Sequence, residues 1–324
     1  MPNLTLLDVA KANGNDKVVG LIEENLTSAP ELKLFPVRTV PGTSFTTLKR
    51  TAYPTTGFRA ANAGFTASKS TYAKQLCELF IFGGAINIDK AVAKAHESGE
   101  AAFEMMESSG VMRSALIQLG KQIWYGVANE ALGFPGIKSL VPHTGVADGT
   151  SIVVDATGTT AVTSSSFYAV KFGNQDAHVV VGNNGSFELP PFVEQQITDP
   201  NDSTKAFKAL VSSLESWTGL HVGNVNCIGR IENLTADAGK GLTDSLISQL
   251  VEKFPVGYQP DAFFCSRRSR GQLQRSRSVT IFSQAGVSPG KSGGNPLVAP
   301  TPTDWEGIPI HVTDSILNTD ALNS

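Results

Sequence analysis

The stretch most like a catalytic loop is Ala285-Gly286-Val287-Ser288-Pro289-Gly290-Lys291-Ser292. Its spacing is that of a phosphate-binding loop with alanine at the first glycine, and Ser278 to Phe282 reads as the strand such a loop follows. In that design the free amides of a helix N-terminus hold the phosphates. Here Gly293-Gly294-Asn295-Pro296 follows, a run through which no helix starts, so a flexible surface loop is the favoured reading and a nucleotide-dependent enzyme around Lys291 the enzymatic alternative. The five histidines, His96, His143, His178, His221 and His311, are dispersed and form no local ligand pair, so each reads as an ordinary surface or strand residue. Serine is abundant, yet no Gly-x-Ser-x-Gly elbow occurs. No catalytic residue, cofactor site or metal ligand set is assigned, and the chain does not read as an enzyme.

Charge offers recognition chemistry instead. Residues 41–75 carry five cations, Lys49, Arg50, Arg59, Lys69 and Lys74, and no carboxylate. Glu97, Glu100, Glu104 and Glu107 follow at helical spacing as an acidic stripe. A solvated helix face is the ordinary explanation of such a stripe. The unmatched basic segment in the same chain argues that the two meet, between subunits, where charge sets register and orientation. A second cluster, Arg267, Arg268, Arg270, Arg275 and Arg277, puts five arginines in eleven residues. Nucleic acid would suit guanidinium groups, but no aromatic residue is interleaved to stack on bases. Pairing with carboxylates of the same or a neighbouring subunit is the better reading.

The elements that position these groups follow from pattern. In the basic segment Phe45, Thr47, Lys49, Thr51 and Tyr53 alternate with Ser44, Thr46, Leu48 and Arg50, and Pro54-Thr55-Thr56-Gly57 is turn chemistry. Thr71 to Ile88 returns as a strand that grows apolar, so the whole predicts a long hairpin with a buried base and a polar tip. Six large apolar side chains over that segment cannot offset an ordering cost of about 1–2 kcal/mol per residue. The arm is therefore disordered or completed by another surface. Two short helices are expected within residues 4–26, around Asn13-Gly14-Asn15. A long helix is expected from Asp89, as N-cap, to about Val127, with Met112, Leu116, Leu119, Ile123 and Val127 in one row and a kink or division at Ser108-Ser109-Gly110. Strands are expected over 151–155, 167–172, 178–181, 221–231, 262–265 and 308–312. Helices are expected over 205–214, 242–254 (stopped by Pro255) and 269–277, and a loop over 283–302.

Composition bounds the rest. The 324 residues are 41% hydrophobic and 17% charged, enough for one large or two ordinary domains with a true core. Net charge is -3, so the basic arm is local and the chain as a whole is no nucleic-acid binder. Cys77, Cys227 and Cys265 are odd in number and outside any CxxC spacing, which suits a reducing cytoplasm. The amino terminus lacks the pattern of a signal peptide and no apolar run approaches a membrane span.

The order of these elements resembles that of the major capsid proteins of tailed bacteriophages, the Hong Kong ninety-seven type. Gly133-Phe134-Pro135-Gly136-Ile137 is similar to the turn that leaves the family's spine helix. Tyr258-Gln259-Pro260-Asp261-Ala262-Phe263-Phe264-Cys265-Ser266-Arg267-Arg268, with Gln272-Leu273-Gln274-Arg275, resembles its axial-domain strand and helix. Trp305-Glu306-Gly307-Ile308-Pro309-Ile310-His311-Val312-Thr313-Asp314-Ser315-Ile316 is similar to its closing segment. Trp217-Thr218-Gly219-Leu220 and Gly229-Arg230-Ile231-Glu232-Asn233 resemble a β segment of one branch. The resemblance implies an α+β fold. Residues 1–32 would be an amino-terminal arm, 33–84 an extended loop across a neighbouring subunit, and 85–141 a peripheral domain with the spine helix. Residues 142–300 would be an axial domain with a β-rich segment at 150–235, and 301–324 the closing strand of the peripheral domain. It also implies hexamers and pentamers of copies forming an icosahedral head around double-stranded DNA held without sequence-specific contact. Assembly would take place in the host cytoplasm, with no membrane. A portal, a decoration protein and, because the amino-terminal arm is short, a separate scaffolding protein are the implied partners. A gene-transfer particle or cellular compartment of the same fold is the alternative shell. Lys49 and Lys69 lie where some members form covalent crosslinks, a reaction not expected here.

Overall fold

The computed structural model describes residues 13, 27–140, 152–185, 187, 189–199, 202–284 and 299–322. The helices expected within residues 4–26 and the loop around Lys291 lie outside the described residues.

Three sheets organise the described residues. The smallest is the arm itself, β2 (Ser44–Ala52) antiparallel to β3 (Thr71–Glu78), paired from Ser44↔Glu78 to Ala52↔Thr71 with one register shift after Arg50. Leu79 then turns the chain into β4 (Phe80–Asp89), its amide donating to the Thr43 carbonyl at 2.9 Å.

β4 belongs to a five-stranded sheet with β1 (Val37–Thr39), β7 (Ala177–Val181), β8 (Val193–Asp199) and β9 (Asp202–Val222), ordered β1-β7-β9-β4, with β8 also on β9. β9 corrects two expectations. Residues 205–214 are strand and not helix, and the strand expected over 221–231 is broken by a 3-10 turn at Val225–Cys227 before β10 (Ile228–Leu234). Phe207, Leu210, Val211 and Leu214 do have helical spacing. Their backbone instead pairs with β4 on one edge and β8 on the other, from Asp89↔Ala209 to Phe80↔Thr218 and from Val193↔Val211 to Thr198↔Ala206, and that ladder overrides local propensity.

The second large sheet has six strands, ordered β12-β13-β11-β6-β10-β5. Besides β10 these are β5 (Ile152–Asp155), β6 (Ser165–Val170), β11 (Ala262–Cys265), β12 (Asp304–Trp305) and β13 (Ile308–Val312). Its central strands are buried on both faces. Along β6 and β11 the two-residue period sends Tyr168, Val170, Ala262 and Phe264 into one core and Phe167, Ala169, Phe263 and Cys265 into another. The first core is aromatic: Trp124 stacks on Tyr168 with ring centroids 4.8 Å apart and meets Phe264 at 5.1 Å.

Between residues 89 and 127 the single expected helix is two. α1 (Glu31–Leu34) lies before the arm; Asp89 caps only α2 (Lys90–Ala93), accepting from the Ala91 amide at 2.8 Å. A turn intervenes before α3 (Glu100–Tyr125), which opens after Gly99 at φ +89°. Ser108-Ser109-Gly110 does not divide α3, because the Ser108 and Ser109 hydroxyls donate back to the Glu104 and Met106 carbonyls, at 2.6 and 2.8 Å, within an unbroken helix. Of the expected apolar row only Ile123 is fully buried; Leu116 and Val127 face outward. After the turn at Gly133-Phe134-Pro135-Gly136 comes α4 (Ile137–Leu140).

Two helices cover the other face of the second sheet. α5 (Asp244–Glu252) places Ile247 and Leu250 in the core with Leu242 and Phe254, and the Thr243 hydroxyl accepts from the Leu246 amide at its start. Thr243→Ala is expected to lower stability by about 1 kcal/mol, read from the urea midpoint of the purified subunit. α6 (Arg267–Gln284) is capped by Ser266, whose hydroxyl accepts from the Ser269 amide at 3.3 Å. It runs through Ser278-Val279-Thr280-Ile281-Phe282, which is therefore helix and not the strand a phosphate loop requires. Once a helix is nucleated each further residue adds a hydrogen bond, and β-branched residues resist that only weakly.

Candidate assembly surface

The arm projects as a two-stranded ribbon whose tip, residues 53–70, has no strand or helix. Alternation along β2 and β3 leaves no buried face beyond the base. Leu48, Tyr53, Phe58, Phe65, Tyr72 and Leu76 are all exposed, Phe58 completely. What order the tip has is local. The Arg50 guanidinium lies 5.5 Å from the ring centroids of both Tyr53 and Tyr72, and Arg59 stacks on Phe65 at 5.5 Å while donating to the Ala63 carbonyl at 3.0 Å. Hydrogen bonding by Ser70, then Arg50, holds the Tyr72 phenol below its ordinary value. Among the described residues none of Lys49, Arg50, Arg59, Lys69 and Lys74 forms an ion pair.

Glu100, Glu104 and Glu107 lie on α3, each half-buried, whereas Glu97 lies in the exposed turn ahead of it. That turn is tied to Asn13, which accepts from the Glu97 amide and donates to the Ala95 carbonyl, both at 2.9 Å. Among the described residues no ion pair joins the stripe to the arm.

The arginine cluster divides. Arg267 is exposed at the start of α6 and Arg270 half-buried. Arg268 turns inward and donates to the carbonyls of Thr163 (2.7 Å), Leu234 (3.0 Å) and Asn318 (3.4 Å), tying α6 to the second sheet and the closing segment. Arg277 pairs with Asp244 of α5 at 2.8 Å. Same-subunit pairing thus accounts for Arg277, and carbonyls take the place of a carboxylate for Arg268.

Two groupings had no sequence signal. Glu194 on β8 bridges Lys90 and Lys208, and hydrogen bonds from those two ammonium groups hold its carboxyl down at about 2. His178 and His221 are strand residues, as expected, and lie buried side by side on β7 and β9. Only the ladder joins residues so distant in sequence.

With this geometry in hand, known proteins give a consistent comparison. The family model described as major capsid protein GP7 matches residues 28–323. No curated protein matches the sequence. Among solved structures, that of bacteriophage epsilon15 is similar with a TM-score of 0.73 at 18% identity, covering 99% of this chain and 97% of that one. Lower similarity is found to the bacteriophage JBD30 capsid (TM-score 0.43, 12% identity, 95% and 97% covered) and to Mycobacterium phage Adephagia (0.45, 9%, 71% and 98%). The epsilon15 likeness shows a shared fold.

Proposed function

The chain belongs to the family of the major capsid protein GP7, and on that premise we propose that the hairpin arm of one copy fastens it to the next. It is a tailed-phage major capsid protein, a component of the virion whose shell is built from copies of the chain, with the α+β capsid fold that the resemblance implied.

The observation that carries the fastening is the arm's incompleteness. A ribbon with six large exposed apolar side chains and five cations that form no ion pair among the described residues has the surface of one half of an interface. The acidic groups Glu97, Glu100, Glu104 and Glu107 of a neighbouring copy are our choice of receptor, and Arg267 and Arg270 our choice of a second contact. Exposed pairs contribute only about 0–1 kcal/mol each, so the aromatic side chains supply the affinity and the charges the register.

We assign residues 1–32 to an amino-terminal arm, 33–84 to the extended loop, 85–141 to a peripheral domain with α3 as its spine, 142–300 to an axial domain and 301–324 to the closing strand. Within 150–235, β7 to β9 share a sheet with β1 and β4 and so join the axial part to the base of the arm. Hexamers and pentamers enclosing double-stranded DNA, a separate scaffolding protein, a portal, a decoration protein and assembly in the host cytoplasm complete the reading. In it the chain is structural and carries no catalysis.

Glu100→Lys with Glu104→Lys tests the pairing. The expected result is a soluble, folded subunit that forms few or no shells by electron microscopy. Normal shells from this variant at about 10 mM salt, where the screening length is about 30 Å, would rule out the charge pairing.

A further inference from the structure

We propose that the histidine pair beneath the base of the arm is an acid-sensitive latch: the neutral rings seat the hairpin on the five-stranded sheet, and their protonation unseats it.

His178 and His221 are directly opposite each other in the β7–β9 ladder, with ring centroids 4.7 Å apart, and both side chains are buried. The arm closes over them. Phe45 of β2 lies 5.3 Å from the His221 ring and 6.5 Å from that of His178, and the Thr47 hydroxyl is 3.4 Å from His221 Nε2. The hairpin is not a strand of this sheet, so its seat rests on side chains and, at its foot, on the Gly42 carbonyl, which accepts from the Asn183 amide at 3.0 Å. Beyond these contacts, the Gln75 amide donates to the Val222 carbonyl at 3.1 Å, and Leu79 and Cys77 pack with Val40 and Val180.

Cations rather than ion-paired carboxylates face this seat. Arg38 of β1, whose guanidinium lies 5.0 Å over the Phe45 ring, and Lys49 of β2 both face the pair. The nearby acids are Asp176, in the turn into β7, and Glu78, on β3; neither forms an ion pair with either ring among the described residues. His178 Nδ1 is 3.1 Å from the Gly173 carbonyl, while its Nε2 is buried with no hydrogen-bond partner among the described residues. A cleft of about 260 Å³ lined by Gln75, Cys77, Leu220, His221 and Val222 reaches this spot and gives protons a route in.

Burial, then His178, Lys49 and Arg38, hold His221 down at about 4, and burial, then Arg38, holds His178 below its ordinary value. In the unseated arm the rings return to water and to about 6.5. A depressed pKa in the seated state means the latch is fully closed above about 6.5 and loses its bias as pH falls toward 4, by on the order of a hundredfold.

Hydrogen–deuterium exchange of the full chain, normalised to the unfolded rate at each pH, tests this. Protection over residues 44–50 and 72–78 is expected to fall at least about tenfold between pH 7.5 and 4.5, while β5 and β10 keep theirs. The double variant His178→Gln, His221→Gln should flatten that response. An equal acid loss in the variant, or a wild-type hairpin equally protected at both pH values, overturns the latch. If the variant does not fold, NMR titration of the wild-type rings decides. Titration coincident with hairpin release supports the proposal, and titration near 6.5 with the hairpin still protected rejects it. Neither outcome depends on which surface the arm meets in the shell.

Discussion

Gly126→Ala is expected to lower the stability of the subunit by about 4 kcal/mol, or to prevent folding, because two separate costs fall on one methyl group. Gly126 ends α3 at φ +56° and ψ −129°, a conformation that alanine disfavours strongly. Its missing side chain is also where the returning chain passes: a Cβ here would lie 1.9 Å from the Gly136 amide nitrogen, and one on Gly136 would lie 2.3 Å from the Gly126 nitrogen. The two glycines form the crossing at which Gly133-Phe134-Pro135-Gly136-Ile137 folds back on the helix, packing Phe134 and Ile137 against Trp124. Gly110→Ala is the matched control. It lies mid-helix with nothing within 4 Å of the place a methyl group would occupy, so alanine there should stabilise by about 0.5–1 kcal/mol. Urea unfolding of the two variants beside the wild type should show midpoints moving in opposite directions; shifts of the same sign would disprove the crossing argument.

Arg268→Met should be the most damaging substitution in the arginine cluster. Methionine keeps much of the aliphatic stem and removes the donors to Thr163, Leu234 and Asn318, leaving three carbonyls on three segments to find other partners. At about 1 kcal/mol or more for each, the expected loss is about 3 kcal/mol, with Arg268→Lys intermediate. Arg267→Ala, on the exposed side of the same turn, should change stability by less than about 0.5 kcal/mol. Any effect of Arg267→Ala should therefore appear in assembly, and comparing unfolding midpoints with shell yield separates the two residues. Equal unfolding of both variants would show that the inward bonds contribute little.

How far the fold was legible depended on whether a signal was local. The hairpin could be read because the alternation from Ser44 to Tyr53 and the turn residues after it are adjacent in sequence, and β2 and β3 pair as that pattern requires. The helix at Leu242 to Phe254 and the strand Ala262–Cys265 were clear for the same reason. Lys205 to Leu214 misled because its apolar spacing fits a helix, while the evidence for a strand lies in β4 and β8, which sequence spacing alone does not bring alongside. Ser278 to Phe282 misled in the opposite sense, β-branched residues carried along by a helix begun at Ser266. The charges of the surface were visible as a composition bias. That Arg268 turns inward while Arg267 does not is a matter of rotation about α6, and the meeting of His178 with His221 is a matter of strand register. Neither is written in any local pattern.

β9 has a mechanical consequence. A strand of 21 residues spans about 70 Å, and this one pairs with β8, β4 and β7 in turn. β4, its partner over ten residue pairs, is also the strand into which the arm's β3 feeds through Leu79. Tension applied to the arm along β4 therefore loads those rungs together in shear, where a pull across the strands would break them one at a time. Such a joint resists a pull along its strands far better than one that peels them apart.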